Sequence, residues 1–391
     1  MGGHIGPPIQ TTMDFGFNDE QELLRSTARK FLENECTSEF VRKRMAEPAG
    51  VTDEFWSKMA EQGWLGLVFP EAYGGSELGF VDLAVLMEEM GRAVMPGPFV
   101  STVLLGGLTV LEAGSPAQKD AWLPKIAGGR AKAALAWTEP SGRWDAAGVT
   151  TTAKPAPGGW ALSGTKLFVL DAHLADVLVV VARSAETKQP DEGISLMLVP
   201  RATPGLEVRL LPTMDQTRKL CEVTLNDVRV EAAAVLGSVG GGWAPLARVV
   251  ERATVALCAE MCGGAQRVLD MTVDYAKIRV AFGRPIGSYQ GVKHKAADML
   301  VDVENAKSLT YYAAWAMDEN VPEAALAASM AKACCSDAYR KVAAAGIQLH
   351  GGIGFTWEHD LHLYFKRAKS SEFTFGDATY HRERVAQLIN L

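Results

Sequence analysis

The sequence lacks any long hydrophobic run. Its apolar stretches, such as residues 177–182, are short and bounded by charged residues, whereas a membrane-spanning helix needs about 20 apolar residues. The first 13 residues are rich in Gly, Pro and Thr and have no charged segment followed by an apolar one, so they do not resemble a signal peptide. We therefore expect no membrane contact, a loose tail over residues 1–15, and a cytoplasmic location.

Two further absences narrow the function. The 391 residues carry a net charge of −7 with both signs scattered along the chain, and no basic stripe predicts a nucleic-acid partner. The six cysteines form no paired Cys-x-x-Cys motifs, so we expect buried, reduced thiols rather than disulfides or a zinc site. The histidines also lack metal-ligand spacing, and we expect structural or surface roles for His350, His359, His362 and His381.

The sequence does show a periodicity that changes twice. Residues 16–130 have helical spacing of apolar side chains, and Asn18 can cap the first helix with Gln21 three positions later,. Residues 131–236 contain short β-branched runs separated by turn residues, which predicts a small antiparallel β domain,. Residues 237–391 return to alanine-rich amphipathic segments, at 243–277, 290–318, 322–349 and about 377–391. Four such segments predict an antiparallel bundle.

Four short motifs follow one another along this layout. They are AWTEP at 136–140, RVAFGRPIGSYQ at 279–290, QLHGGIG at 348–354 and FGD at 375–377. One of them alone would be a weak signal, but together at these separations they are specific. From about residue 15 to the end, the chain resembles the acyl-CoA dehydrogenase family. The resemblance implies an α+β multidomain fold with an N-terminal helical domain, a middle antiparallel β-barrel-like domain and a C-terminal four-helix bundle.

The resemblance also implies FAD, bound between the β domain and the bundle. An arginine in a glycine-bounded loop can bind a diphosphate through forked hydrogen bonds, and Arg279 resembles the arginine that reaches a neighbouring subunit. Gly351 and Gly352 provide a bend where no side chain blocks a dinucleotide. The alternative for Arg279 is a helix end tied by a surface salt bridge. The predicted cofactor-binding residues are Trp137, Thr138, Phe168, Arg279, Phe282, Gln290, Gln348, Gly351, Gly352, Asp377 and Thr379.

Phe375 stands where most of the family has its catalytic glutamate. Removing a proton from Cα of a thioester needs a carboxylate, together with donors at the developing enolate oxygen. A phenyl ring cannot accept a proton, but the backbone N–H of Phe375 can still serve as an oxyanion donor. A minority branch places the base on the first bundle helix, directly before an arginine, and this implies Glu251 before Arg252. The apolar residues that follow Glu251 are suited to raising the pKa of a catalytic carboxylate. The alternative is that Glu251 is an ordinary solvated glutamate in a helical ion pair.

The chain departs from the family at two further places. Arg143 and Trp144 add bulk where the pantetheine of the thioester passes, and with Arg252 they form the predicted substrate-binding set. Leu170 replaces a hydroxyl residue that hydrogen-bonds near flavin N5 in the family.

These features predict FAD-dependent α,β-dehydrogenation of an acyl-CoA, with electrons passed to an electron-transferring flavoprotein. The assembly is expected to be a homotetramer or α2β2, with no metal ion. FGD followed by Tyr380, His381 and Arg382 resembles a bacterial branch in which two related subunits share one active site. A non-catalytic partner subunit is therefore one alternative. A flavin-free binding or scaffold protein on the same fold is the other.

Overall fold

The computed structural model describes residues 16–391, so the predicted loose tail lies outside the described residues. The first region is helical, and Asn18 and Gln21 form the predicted reciprocal cap at the start of α1. Its α-helices are α1 (Asp19–Glu35), α2 (Ser38–Ala46), α3 (Asp53–Glu61), α4 (Phe80–Arg92), α5 (Leu108–Ala113) and α6 (Pro116–Ala127). A π-helical segment, Val100–Gly107, is buried at every position. It therefore shows no amphipathic stripe from which the sequence could predict it.

The middle region is one eight-stranded sheet. Its strands are β1 (Ala133–Ala136), β2 (Thr152–Ala156), β3 (Gly159–Leu170), β4 (Val177–Arg183), β5 (Ile194–Pro200), β6 (Leu206–Leu211), β7 (Leu220–Glu231) and β8 (Val235–Leu236). Their order is β6-β7-β3-β2-β4-β5-β8, with β1 beside β4. Most pairs are antiparallel as predicted, but β1 runs parallel to β4 along its whole length, so the sheet is mixed. The alternation of apolar residues in a strand does not specify the direction of its neighbour.

The last region contains five α-helices rather than the predicted four. They are α7 (Trp243–Ile278), α8 (Gln290–Asp318), α9 (Ala324–His350), α10 (Leu361–Phe373) and α11 (Ala378–Leu388), and a short β9–β10 hairpin (Val280–Ala281 and Arg284–Pro285) joins α7 to α8. The prediction missed α10 because its sequence, LHLYFKRAKSSEF, is rich in polar and charged residues. One of those, Arg367, is only 3% exposed.

A buried ionic network joins the three regions. Glu260 on α7 accepts hydrogen bonds from Arg218, in the β6–β7 connection, and from Arg367 on α10. Arg367 also donates to Asp215 at 2.9 Å and to the carbonyl of Met95, which follows α4. All four charged side chains are at least 93% buried. Because buried charges are tolerated only when they are paired in well-defined geometry, the network fixes the β domain against the bundle.

Candidate active site

A small cleft lies where the end of β1, the first turns of α7 and the start of α11 meet. It brings together four of the predicted site residues, Trp137, Trp144, Glu251 and Phe375. Three tryptophans form one wall, because Trp137 contacts both Trp144 and Trp243 edge to face. The remaining lining residues come mainly from helices: Leu246, Ala247, Val250, Thr254, Ala328, Ser329, Tyr380, His381 and Arg384.

Glu251 is the carboxylate of this cleft. Its side chain is 26% exposed, and its Oε1 accepts a hydrogen bond from Nη2 of Arg384 at 2.8 Å. The predicted apolar surroundings are therefore incomplete, since a guanidinium from α11 lies directly against the carboxylate. The sequence analysis missed Arg384. Arg384 lies four positions after Tyr380 in a helix, so both side chains lie on one face. This spacing is the sequence feature that could have placed Arg384 beside the predicted site.

Phe375 occupies the turn between α10 and α11 with a left-handed backbone, φ 63°. Its side chain is 4% exposed and packs on Trp144, with ring centroids 6.0 Å apart. In the described part of the chain, its backbone N–H makes no hydrogen bond. An unpaired N–H on a residue that lines the cleft is what the predicted role of an oxyanion donor requires,.

The ends of β1 and β3 lie side by side next to the cleft. The hydroxyl of Thr138 donates to the carbonyl of Leu167, and the Leu167 N–H donates back to Thr138 O at 2.9 Å. The next residue, Phe168, has φ 57° and leaves its ring 52% exposed. The structure therefore brings Trp137, Thr138 and Phe168 together and leaves an aromatic face open.

A buried ion pair that the sequence analysis missed supports this edge. Lys166 is fully buried, and its ammonium donates to Glu139 at 2.7 Å and to the carbonyl of Trp137 at 3.1 Å. Burial lowers the pKa of Lys166 to about 8. Burial alone would raise the pKa of Glu139, but Lys166 and donors from Thr150 and Thr151 hold that pKa below its usual value. The pair fixes the loop that carries Trp137 and Thr138.

The second set of predicted cofactor residues lies at the other end of α7. Tyr275 stacks on His350 with ring centroids 4.4 Å apart, which brings the hairpin after α7 near the glycines after α9. Gly351 has φ 64°, and a Cβ added at Gly351 or Gly352 would meet no atom within 4 Å. The residues of this set are exposed at the surface: Arg279, Phe282, Gln290, Gln348, Gly351 and Gly352.

Within one chain, the predicted residues of the cleft lie far from the predicted residues at the exposed hairpin. Glu251 and Arg279 are 28 positions apart at either end of one continuous helix. At 1.5 Å per residue, this places the cleft and the exposed hairpin about 40 Å apart. A single dinucleotide cannot contact both sets within one protomer.

Four predicted residues take other positions. Arg252 is absent from the cleft lining and instead donates to Glu112 on α5 at 3.3 Å, because adjacent helical residues point about 100° apart. Arg143 is also absent from that lining and pairs with Asp145. Asp377 caps α11 through the Tyr380 N–H, and Thr379 is exposed.

The described residues contain neither a metal-binding cluster nor a membrane-spanning helix. Within residues 16–391, no three or more His, Cys, Asp or Glu side chains gather in a metal-binding arrangement. No helix in that stretch is both long and apolar enough to cross a bilayer. All six cysteines are free thiols, and five are buried. Of the structural or surface roles expected for His381, its burial favours the structural one, since it is 4% exposed and lines the cleft.

Comparison with known proteins identifies the family. Residues 18–130, 134–228 and 240–389 match the N-terminal, middle and C-terminal domain models of acyl-CoA dehydrogenases. The chain is 31% identical to the probable acyl-CoA dehydrogenase YngJ of Bacillus subtilis, over 96% of this chain and 99% of that protein. The chain belongs to the acyl-CoA dehydrogenase family, a class of oxidoreductases that act on the CH–CH group.

Solved structures confirm the fold. Butyryl-CoA dehydrogenase from Megasphaera elsdenii is 26% identical with a TM-score of 0.90, covering 97% of this chain and 100% of that one. An FAD complex of PigA is 27% identical with the same TM-score and the same coverage. A steroid ACAD described as Tcur3481-Tcur3483 is 32% identical with a TM-score of 0.85, covering 95% and 98%.

Proposed function

We propose that this chain catalyses the FAD-dependent α,β-dehydrogenation of an acyl-CoA thioester to the 2-enoyl-CoA. The observation that carries the proposal is the cleft itself. A carboxylate, Glu251, and an unpaired backbone N–H, that of Phe375, line one small aromatic cavity. Removal of a Cα proton requires this combination of a base and an oxyanion donor.

FAD is the proposed cofactor, and the residues present fit it. Family membership and the likeness to the FAD complex of PigA support the assignment. Phe168 offers an exposed ring beside Trp137 and Thr138, and the open space at Gly351 and Gly352 leaves room for a dinucleotide backbone. When bound, FAD supplies the acceptor for a hydride from Cβ of the substrate.

The side chains of the cleft have separate roles in this proposal. Glu251 takes the Cα proton, and the Phe375 N–H binds the thioester oxygen as negative charge develops on it. Arg384 holds the carboxylate of Glu251 in the cleft through its hydrogen bond. The tryptophans exclude water, and Trp144 limits the size of the acyl group because it fills space between Trp137 and Phe375.

The proposed assembly is a homotetramer or an α2β2 complex. The distance along α7 supports this proposal, because Arg279, Phe282 and Gln290 can contact the flavin of a neighbouring subunit but not that of their own. The hairpin region also leaves three large apolar side chains open, since Ile278, Val280 and Phe282 are 77%, 57% and 96% exposed. The proposed electron acceptor is an electron-transferring flavoprotein, and the proposed location is the cytoplasm.

A second candidate function is a partner subunit without its own chemistry. Phe375 in place of the usual glutamate favours it. So does the likeness to the steroid ACAD Tcur3481-Tcur3483. The FGD motif and the Tyr380–Arg382 stretch that follows it support placing the chain in that bacterial branch.

Mutation of Glu251 separates these candidates. Purified wild-type protein, Glu251→Gln and the control Glu112→Gln are assayed with a panel of acyl-CoAs and an artificial electron acceptor. Glu112 is a matched helical glutamate that also pairs with arginine, but it lies outside the cleft. We expect a loss of turnover of about 10²- to 10⁴-fold for Glu251→Gln alone. Unchanged turnover would remove Glu251 as the base, activity only after addition of a related chain would establish the partner role, and colourless protein would favour the flavin-free scaffold.

A further inference from the structure

The turn that carries Phe375 is held by two buried side chains. We propose that Lys332 and His381 are positioning residues, which orient this turn so that the Phe375 N–H points at the thioester oxygen. The inference rests on the proposed function and deepens it. Neither residue is assigned a role in accepting the proton or in binding the substrate directly.

Lys332 on α9 is fully buried and places its ammonium beneath the turn. Its Nζ donates to the carbonyls of Gly376 at 2.8 Å and Glu372 at 3.0 Å, and to the hydroxyl of Ser336 at 3.1 Å. A lysine ammonium has three N–H donors, and all three are used. Because Glu372 precedes the turn and Gly376 lies within it, Lys332 ties the end of α10 to the turn.

His381 on α11 holds the adjacent carbonyl. Its Nε2 lies 2.9 Å from the carbonyl oxygen of Phe375. A carbonyl only accepts hydrogen bonds, so Nε2 carries the hydrogen and Nδ1 does not. Burial, together with the nearby charge of Lys332, lowers the pKa of His381 to about 3. The ring is therefore neutral, and this single tautomer is its donor form.

These contacts determine where the free N–H points. The carbonyls of Phe375 and Gly376 are both directed to buried donors from two different helices. Phe375 itself has φ 63°, a conformation that is uncommon for a bulky residue and persists only where the surroundings impose it,. With both following carbonyls held, the N–H is left without a protein partner at the wall of the cleft. A preorganised donor of this kind is most effective when it does not have to move during the reaction.

The test uses the FAD-loaded protein and acetyl-CoA labelled with ¹³C at the thioester carbonyl. Acetyl-CoA has Cα hydrogens but no acyl β-carbon, so it can exchange α-protons without being dehydrogenated. The infrared frequency of the labelled carbonyl reports its hydrogen bond to Phe375, and exchange of the methyl hydrogens in D₂O reports proton removal. The variants are Lys332→Met, His381→Leu and His381→Gln.

The matched control is His362→Leu. His362 is also a buried histidine whose Nε2 contacts a backbone carbonyl, that of Trp357 at 3.1 Å, but it lies outside the cleft lining. We expect wild type and His362→Leu to lower the carbonyl frequency of bound acetyl-CoA. Lys332→Met and His381→Leu should lose most of that shift and about 10- to 100-fold of the exchange rate. His381→Gln should recover part of both, because its amide can donate to the Phe375 carbonyl.

The inference is overturned if the two disabled variants keep the wild-type shift, or if wild type shows none. A wild-type shift without α-proton exchange would refute Glu251 as the base and leave the positioning roles intact. Should Lys332→Met fail to fold, the contrast between His381→Leu and His381→Gln decides the question.

Discussion

At the scale of single residues, the side chain and the backbone of Phe375 have separate roles in the proposed mechanism. The ring cannot act as the base at this position, while the N–H of the same residue makes no hydrogen bond and the residue lines the cleft. A carboxylate therefore has to come from elsewhere, and Glu251 lines the same cavity. In the proposed mechanism the base comes from helix α7, and the oxyanion donor comes from the turn before α11.

Phe375→Ala separates the two functions of this residue. The substitution keeps the backbone N–H and removes a buried ring, so we expect the protein to lose about 3–5 kcal/mol of unfolding free energy. Turnover by the surviving folded protein should fall far less than in Glu251→Gln. Denaturant titration and steady-state kinetics measure the two effects. A kcat as low as that of Glu251→Gln would show that the ring, and not only the amide, is needed for the chemistry.

The sequence predicted those residues of the site whose positions are fixed by local motifs. Glu251, Phe375 and Trp137 were found because each belongs to a recognisable stretch, and the structure places all three in one cleft. Arg384 was not found, because its contact with Glu251 joins positions 133 residues apart. Lys332 was missed for the same reason, since its acceptor on Gly376 lies 44 residues away.

At the scale of elements, a buried ionic network joins α7, α10 and the β6–β7 connection. Long amphipathic helices were predicted well because their period is strong, and α8 begins and ends where the sequence indicated. Helix α10 was missed because its buried face includes Arg367, a residue type that normally marks a solvent-exposed face,. The parallel placement of β1 beside β4 also depends on tertiary contacts that no local pattern encodes.

Arg367→Met tests how much the buried ionic network contributes to the free energy of unfolding. The variant leaves Glu260 and Asp215 buried without one of their cationic partners, so we expect a loss of about 3–5 kcal/mol in unfolding free energy. Arg229→Gln is the control, since it breaks an exposed pair with Asp227 and should change stability by less than about 0.5 kcal/mol,. Denaturant unfolding measures both. Equal, small effects would mean that the network does not fix the domain junction.

The burial of Asp171, in the turn after β3, leads us to expect that the free energy of unfolding depends on pH. Asp171 accepts a hydrogen bond from Ser101, and burial raises its pKa from 3.8 to about 6. A carboxyl group whose pKa is raised in the folded state contributes stability below its unfolded pKa, and this contribution is lost as pH rises through 6. Between pH 4 and 7, wild type should lose about 2 kcal/mol relative to Asp171→Asn. Parallel pH profiles of the two proteins would contradict the prediction.

At the scale of the whole molecule, α7 separates the cleft that contains Glu251 from the hairpin that follows Arg279 by about 40 Å. The glycines after α9 and the hairpin after α7 lie at one end of it, and the cleft that contains Glu251 lies towards the other. The order of the three regions and the family could be predicted from the sequence, because periodicity and the four motifs extend over the whole chain. The separation was not inferred from the sequence, although the predicted helix at 243–277 already implied it and α7 continues unbroken across 36 residues.

Phe282→Asp tests the role of the exposed hairpin in assembly. A charge in an apolar subunit contact is unfavourable, so we expect a smaller particle by analytical ultracentrifugation and a lower flavin-to-protein absorbance ratio. Leu23→Asp is the control, because Leu23 is also largely exposed, at 66%, but lies on α1 away from the hairpin. An unchanged sedimentation coefficient and full flavin content in Phe282→Asp would place the subunit contact elsewhere.

In the proposed function, copies of this chain alone form the complete dehydrogenation site. This claim is tested most directly by mixing the pure FAD-loaded chain with a panel of saturated acyl-CoAs without oxygen and recording the flavin absorbance in a single turnover. We predict rapid bleaching by at least one acyl-CoA in wild type. Glu251→Gln should retain its flavin but show no bleaching. Wild-type flavin that stays oxidised with every acyl-CoA until a second, related chain is added would contradict the claim.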